Sequence, residues 1–475
     1  MKYRIESDFL GDKQIPNNAY YSIQTARAVE NFPITGEKTH PELIRSIALI
    51  KKAAAKTNAE IGLLDESVSI AIRKAAEEME LGMWDNQIVV DAIQGGAGTS
   101  LNMNINEVLA NRAHELLKGT KEGQSVVSAN TQVNMSQSTN DVIPTAVHLT
   151  LLNMAGRLCA VLKRLHEQLV IKENEFDDVI KMGRTHLQDA IPIRLGQEFG
   201  AYACVIKRDL NRIEKAVQQL NTISIGATAI GTGLNARGDY REKIIDYLIE
   251  ETNYPLENAE NLVDITQNTD RYTEISSTLK ILAINLSKIA NDLRLLASGP
   301  LTGFNEINLP ARQPGSSIMP GKVNPVIPEV MNQISFQVIG NDHTISLASE
   351  AGQLELNVMG PVMVSNLLQS FAILTNGVHV FSAFAIEGIT ANVEHCRELV
   401  ESSVGIVTAI NPHVGYEVAS KIAKEALATG VSVRSICLRE GYLSEKELDI
   451  ILDTKEMTEP GIAGLELLRK TVRIS

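Results

Sequence analysis

From Phe199 onward the apolar residues fall at Phe199, Ala203, Ile206, Leu210, Ile213, Val217 and Leu220, in alternating steps of four and three. Steps of that size return to one face of a helix, so the spacing predicts a helix with a continuous apolar seam. The same steps run through Ile275, Leu279, Leu282, Leu286, Ile289, Leu293 and Leu296, and more briefly through Leu151, Met154, Leu158, Val161 and Leu165. Seams of this kind pack at shallow angles, which predicts a mainly all-α chain built on an elongated central bundle of long helices. Residues 329–359 are apolar on more than one face, as expected of a helix buried within a bundle or between subunits.

The texture changes toward both ends. Residues 1 to about 60 mix short extended pieces and turns before the helical stretch "LIRSIALIKKAAAKTNAEIG", and from about Cys396 the helices become shorter and more charged. The pattern predicts three domains: a mixed, mostly helical one at 1–140, the long-helix bundle at 141–395 and a small helical one at 396–475. A length of 475 residues fits more than one structural unit, at roughly 150 residues each.

Composition narrows the function. Only 4% of residues are aromatic against 44% hydrophobic, so Leu, Ile and Ala must fill the core. A net charge of −13 argues against nonspecific binding to nucleic acid or anionic membranes, and any positive site has to be local. Cys159, Cys204, Cys396 and Cys437 lie far apart with no CxxC or Cys/His metal spacing, which predicts free thiols rather than a disulfide framework or zinc site. The start "MKYRIESDFLGDKQIP" lacks an apolar signal core, and no uninterrupted apolar run of membrane-spanning length follows, so a cytoplasmic location is expected.

Four polar, glycine-bearing segments read as breaks in the helical pattern: "IQGGAGTSLNMNINE" (93–107), "NMSQSTNDVIPT" (134–145), "MGRTHLQDAIP" (182–192) and "GSSIMPGKVNP" (315–325). Taken singly, the first two also read as turns with Ser, Thr, Asn or Asp capping a helix, His186 as a hydrogen-bonded structural residue, and Lys322 as a solvated surface charge. Taken together they supply many neutral hydroxyl and amide donors, a local cation and a histidine. No Walker loop, HExxH or strand-borne GxGxxG accompanies them. Such a set suits a small dicarboxylate whose developing negative charge is stabilised by donors.

At these residues the chain resembles the aspartase/fumarase superfamily over essentially its whole length. "GSSIMPGKVNP" matches the superfamily signature GSSxMPxKxNP, and "GKVNP" points to the aspartase and fumarase branch. Class II fumarases typically read SSND and TGSGTQSNMN where this chain has "STND" and "GGAGTSLNMN", so Thr139 favours the aspartase side. The resemblance implies the three-domain fold of that superfamily and a homotetramer whose active sites each draw on three subunits. It also implies a carbon–nitrogen lyase that removes a Cβ proton from L-aspartate and expels ammonia to leave fumarate, without a cofactor; the residues themselves carry no metal-binding signature. Fumarate hydration, an ammonia- or amine-lyase acting on another aspartate-like substrate, and a non-catalytic structural role like that of a lens crystallin are the alternatives.

By the same resemblance Ser316 is the general base, with the amides of Ile318 and Met319 favouring its anion. Thr99, Ser138, Thr139 and Ser317 would hold the dianionic aci-carboxylate formed from the β-carboxylate, and Lys322 and Asn324 the α-carboxylate. Asn140, Thr185 and His186 would surround the amino group, His186 among the catalytic residues but not as an obligatory acid, with Glu329 as its supporting partner. The chain departs from common aspartase patterns at Ser22, Gly200, Leu301 and Gly360, none of them a catalytic position.

Overall fold

The computed structural model describes residues 2–121 and 125–472. A hairpin of β1 (Tyr3–Asp8) and β2 (Gly11–Pro16) opens the chain, followed by α1 (Ile23–Asn31), α2 (Pro41–Glu60), α3 (Glu66–Glu80) and α4 (Thr99–Lys118). Pro41 sits in the first turn of α2, where its missing N–H costs no helical bond, and His40 Nδ1 accepts the Glu42 amide at 3.2 Å. Next come α5 (Thr139–Glu175), the antiparallel pair β3 (Ile180–Thr185) and β4 (Gln188–Arg194), α6 (Leu195–Val217), α7 (Gly238–Thr252) and α8 (Leu262–Gln267). The long helices α9 (Asp270–Leu296), α10 (Val326–Glu350) and α11 (Gly360–Phe384) precede a set of short ones from Val393 to Val472.

Helix dominates, as the seams predict. All seven seam residues from Ile275 to Leu296 are buried on α9, and so are Phe199, Ala203, Ile206, Leu210 and Ile213 on α6. α5 is the longest helix at 37 residues, about 55 Å at 1.5 Å rise per residue.

Three sequence expectations need correction. Residues 329–359 are not one helix: α10 ends at Glu350, where Leu354 takes a left-handed φ of 53° and the Asn357 amide donates to the carbonyls of Ala348 and Ser349. Within the chain α10 is also buried on one face only, since Phe336 is 64% and Leu347 58% exposed. The segments at 93–107 and 134–145 are only partly breaks, because α4 begins at Thr99 and α5 at Thr139. Thr99, Ser100 and Thr139 lie in first turns, where backbone N–H groups lack helical partners, while Ser136 and Ser138 precede α5. Finally, two helices, Thr139–Glu175 and Gly360–Gly388, are long and apolar enough to cross a membrane by length and composition, since uncharged Asn, Gln, Ser and Thr interrupt their apolar residues without adding charge. Their span-like windows are 72% and 50% buried inside the protein, as in helices that pack on protein.

The chain divides into two compact units. The first comprises Met1–Cys159, Asn211–Ala283 and Phe336–Thr375, the second Ala160–Leu210, Ile284–Ser335 and Asn376–Ser475. In the second, an apolar cluster gathers Val400, Ile410, Ile422, Ile436 and Leu448 around Met182 of β3, which ties that hairpin to the C-terminal helices. No disulfide forms among the described residues; Cys204 is exposed and the other three cysteines are buried.

Candidate active site

In the first unit two of the four polar segments meet. Gly96 and Gly98 have φ of 89° and 94°, a region closed to most side chains, and they turn the chain sharply into the first residue of α4. A β-carbon at Gly98 would lie 3.3 Å from Ile143 on α5, so the glycine allows the two helix starts to approach. Asn102 Nδ2 then reaches Thr139 Oγ1 at 3.2 Å. Because Thr139 accepts that bond, its own hydroxyl hydrogen stays available to a ligand.

Asp141 braces this start. Its fully buried carboxylate accepts the amides of Ser138 (2.9 Å), Gly226 (3.1 Å) and Thr228 (3.0 Å). Ser138 Oγ accepts the Asn140 amide at 3.2 Å, and the Asn140 side chain donates to the Ala229 carbonyl at 2.7 Å. Asp141 is therefore structural, the capping role anticipated for this segment, while Thr99 stands exposed and Ser138 half-buried beside it.

Sequence reasoning missed the layer beneath. Lys51 on α2 is fully buried, and its ammonium donates to Asn134 Oδ1 at 2.9 Å; Asn102 and Asn106 donate to the same oxygen at 3.2 Å each. Burial pulls the Lys51 amine down to about 7 against the pull of Asp141, and burial pushes the Asp141 carboxyl up to about 6 despite its amide bonds and Lys51. The available signal was a lysine within the apolar run "SIALIKKAAA", where a cation needs a buried partner.

The second unit carries the other two segments. Thr185, His186 and Leu187 are exposed at the tip of the β3–β4 hairpin. In the loop at 315–325, Ser316 Oγ accepts the amide hydrogens of Ile318 at 3.2 Å and Met319 at 3.0 Å, the pair expected to favour its anion. The loop is closed at its base by Gly315 N to Lys322 O (2.7 Å) and Asn324 Nδ2 to Gly315 O (2.7 Å). A β-carbon at Gly315 would stand 2.5 Å from the Lys322 oxygen, so only glycine permits this closure. Asn324 thus spends one amide hydrogen on the loop itself and keeps its Oδ1 and second hydrogen.

Ser317, Met319 and Lys322 are exposed, and Glu329 lies in the first turn of α10. Among the described residues, no hydrogen bond or ion pair within the chain joins His186 to Glu329 or to the 315–325 loop. Nor does any group of three or more His, Cys, Asp or Glu there suit a metal ion.

Of the departures, Gly360 has open space around its Cα and lines a cavity of about 480 Å³ in the first unit with Gly98, Ile143 and residues of α2. Gly200 faces Glu173, whose carboxylate oxygen would lie 2.4 Å from an added β-carbon. Leu301 is 94% exposed, and Ser22 Oγ accepts from Asn111.

The Lyase family matches residues 11–340, and the Fumarase C C-terminus family matches residues 406–459. An aspartate ammonia-lyase of Bacillus subtilis is 58% identical over 99% of both chains, and one of Escherichia coli is 45% identical over 96% of both. Among solved structures, a fumarate lyase:delta crystallin from Brucella melitensis bound to cobalt has a TM-score of 0.93 at 47% identity, covering 97% of this chain and 100% of that one. A class II fumarase from Schistosoma mansoni has a TM-score of 0.93 at 35% identity with the same coverage. With a family match over most of its length and relatives this similar from end to end, the chain belongs to the aspartase/fumarase superfamily of lyases.

Proposed function

We propose that the chain is an aspartate ammonia-lyase, a carbon–nitrogen lyase that interconverts L-aspartate with fumarate and ammonia. The end-to-end similarity to aspartate ammonia-lyases supports this reading, and the observation that carries its chemistry is the pair of backbone amides on Ser316 Oγ.

The Cβ hydrogen of aspartate is weakly acidic, so the base must be strong and its product stabilised. A serine hydroxyl is far too weak an acid to ionise near neutral pH by itself. Two N–H donors aimed at its oxygen favour the alkoxide, and exclusion of water strengthens both bonds. Ile318 and Met319, 83% and 49% exposed, would be covered when the loop folds over a ligand, and burying one such side chain contributes roughly 1.5–3 kcal/mol toward closure.

Ser316 then takes the Cβ proton, and the electron pair left behind spreads into the β-carboxylate as a dianionic aci form. Thr99, Ser138, Thr139 and Ser317 donate to its oxygens, each bond worth more in the dianion than in the substrate. The pair returns to form the Cα–Cβ double bond as the C–N bond breaks. The amino group, bound as ammonium among Asn140, Thr185 and His186, leaves as neutral ammonia with the bonding electrons, so no acid has to protonate it. Lys322 and Asn324 hold the α-carboxylate throughout, Met319 lends its amide to Ser316, and Glu329 supports His186.

The same reading makes the protein a homotetramer with sites assembled from three copies, in the cytoplasm, and retains the domains 1–140, 141–395 and 396–475. The exposed Phe336 and Leu347 on α10 support packing against other copies. The test is ultraviolet absorbance of fumarate from purified protein given L-aspartate or L-malate separately. Fumarate and equal ammonia from aspartate alone are expected; fumarate from malate alone would replace this reading with a hydratase.

A further inference from the structure

The turn that presents His186 is strained. Thr185 pairs with Gln188, leaving His186 and Leu187 as the two turn residues, with φ of 56° and 60°. Two positive φ values in a two-residue hairpin turn make the mirror-image type that favours Asn-Gly; His is tolerated at positive φ, but Leu at the second position is poorly suited to it. Leu187 is 65% exposed, so packing of its side chain does not compensate.

The stem of the hairpin holds the turn instead. Lys181 Nζ lies 2.9 Å from Glu198 Oε1 and 3.2 Å from Glu306 Oε2, while Arg184 Nη1 lies 2.8 Å from Glu306 Oε1. Residues three apart on a regular strand face opposite sides, yet Lys181 and Arg184 reach one carboxylate because the register shifts between Met182 and Arg184. Glu306 is fully buried and itself fixed, its amide bonded to the Leu296 carbonyl and its carbonyl to the Asn392 amide, each at 2.9 Å. The Arg184 guanidinium also lies over the Phe304 ring, 4.1 Å from its centre.

The returning strand is held from the C-terminal side. Ser403 Oγ donates to Asp189 Oδ2 at 2.9 Å. Gly405 comes so close that a β-carbon there would lie 2.2 Å from the Ala190 carbonyl oxygen.

We propose that Glu306 is a positioning residue for the lyase reaction: through Lys181 and Arg184 it fixes the strand carrying Thr185 and His186, while Ser403 and Gly405 brace the opposite strand. What the turn does rests on the function proposed above; how it is held rests on these contacts alone. A carboxylate with two cations this thoroughly buried costs desolvation that a plain core would avoid, and a fixed geometry at the amine end of the substrate is what offsets it.

The experiment uses the full-length assembled protein with Glu306→Gln and, as a milder change, Ser403→Ala. Fumarate amination is followed with ammonia and fumarate varied in turn, and hydrogen exchange is read over 182–192. For Glu306→Gln the KM for ammonia should rise about ten- to a hundredfold with little change in the KM for fumarate, as expected when a group is displaced from the reacting atoms. Exchange over 182–192 should quicken while that of the β1–β2 hairpin stays as it was. Ser403→Ala should give the same pattern more weakly, and it decides the matter if Glu306→Gln does not fold.

Faster exchange with unchanged kinetics would overturn the proposal, as would equal rises in both KM values or a hairpin whose exchange does not change. A wild-type protein inactive on aspartate overturns the lyase reading instead, and exchange over 182–192 then decides separately whether Glu306 holds the hairpin.

Discussion

Ser316 shows how much one side chain depends on its neighbours' backbone. Replacing it with alanine removes the proposed proton acceptor but leaves the loop's base bonds between residues 315, 322 and 324 in place. Ser316→Ala should therefore lower kcat on the order of 10²–10⁴-fold without changing the melting temperature, measured by fumarate absorbance and calorimetry. Lys322→Met should act on binding, raising the KM for aspartate through loss of the carboxylate's cation; an unchanged KM would remove Lys322 from that role.

Lys51 gives a pH dependence with a definite sign. Its folded pKa of about 7 lies below the unfolded value of 10.5, so between these values the unfolded chain binds more protons. Its contribution to stability is complete above pH 10.5 and is lost as pH falls through about 7. Asp141 has the opposite sign: raised from 3.8 to about 6, its contribution is present below 3.8 and lost as pH rises through about 6. Relative to Lys51→Met, the wild type should gain stability between pH 7 and 10 on the order of several kcal/mol, read as the difference in melting temperature across that range. A constant difference would mean that Lys51 keeps its proton throughout.

At the scale of elements, the residues proposed for the chemistry sit where regular structure starts or turns. α4 and α5 present Thr99, Thr139 and Asn140 from first turns, β3–β4 presents Thr185 and His186 from its tip, and the 315–325 loop presents Ser316 just ahead of α10. Each place has backbone N–H groups or side chains not committed to a helix interior. Gly315→Ala tests how far the loop depends on its closure, because the new β-carbon would meet the Lys322 oxygen at 2.5 Å and the Asn324 nitrogen at 2.7 Å. Both are backbone atoms and cannot swing away. Activity should fall about tenfold or more while helix content by circular dichroism is unchanged.

For the whole molecule, the exposed apolar residues on α10, and the lack of a hydrogen bond or ion pair between His186 and Glu329 among the described residues, fit the proposal that other copies complete each site. Light scattering should give roughly four times 51.8 kDa, the quaternary state proposed above. Ser316→Ala chains, inactive or nearly so, and His186→Ala chains, weakened in holding the amino group, should show more activity when unfolded and refolded together than the two show separately, because some mixed sites then receive both intact residues. Failure of the mixture to gain activity would mean that each site is built within one copy.

The apolar steps along α6 and α9 determined those helices in advance, because a period of 3.6 leaves one face to bury whatever it packs against. The 315–325 motif likewise determined its loop, since glycines and prolines at those places exclude helix. The family and the reaction class could be read from the same residues. Tertiary structure alone decided the rest. Whether Lys51 is solvated or buried on Asn134, whether Lys181 and Arg184 meet one carboxylate, and whether Ser403 reaches Asp189 depend on partners 83, 122 and 214 residues away. Local periodicity reports which face of an element is apolar; it carries no information about which distant polar group completes a hydrogen bond inside the core. That pairing is set only when the elements pack, since burial then makes an unpaired charge or amide too costly to keep.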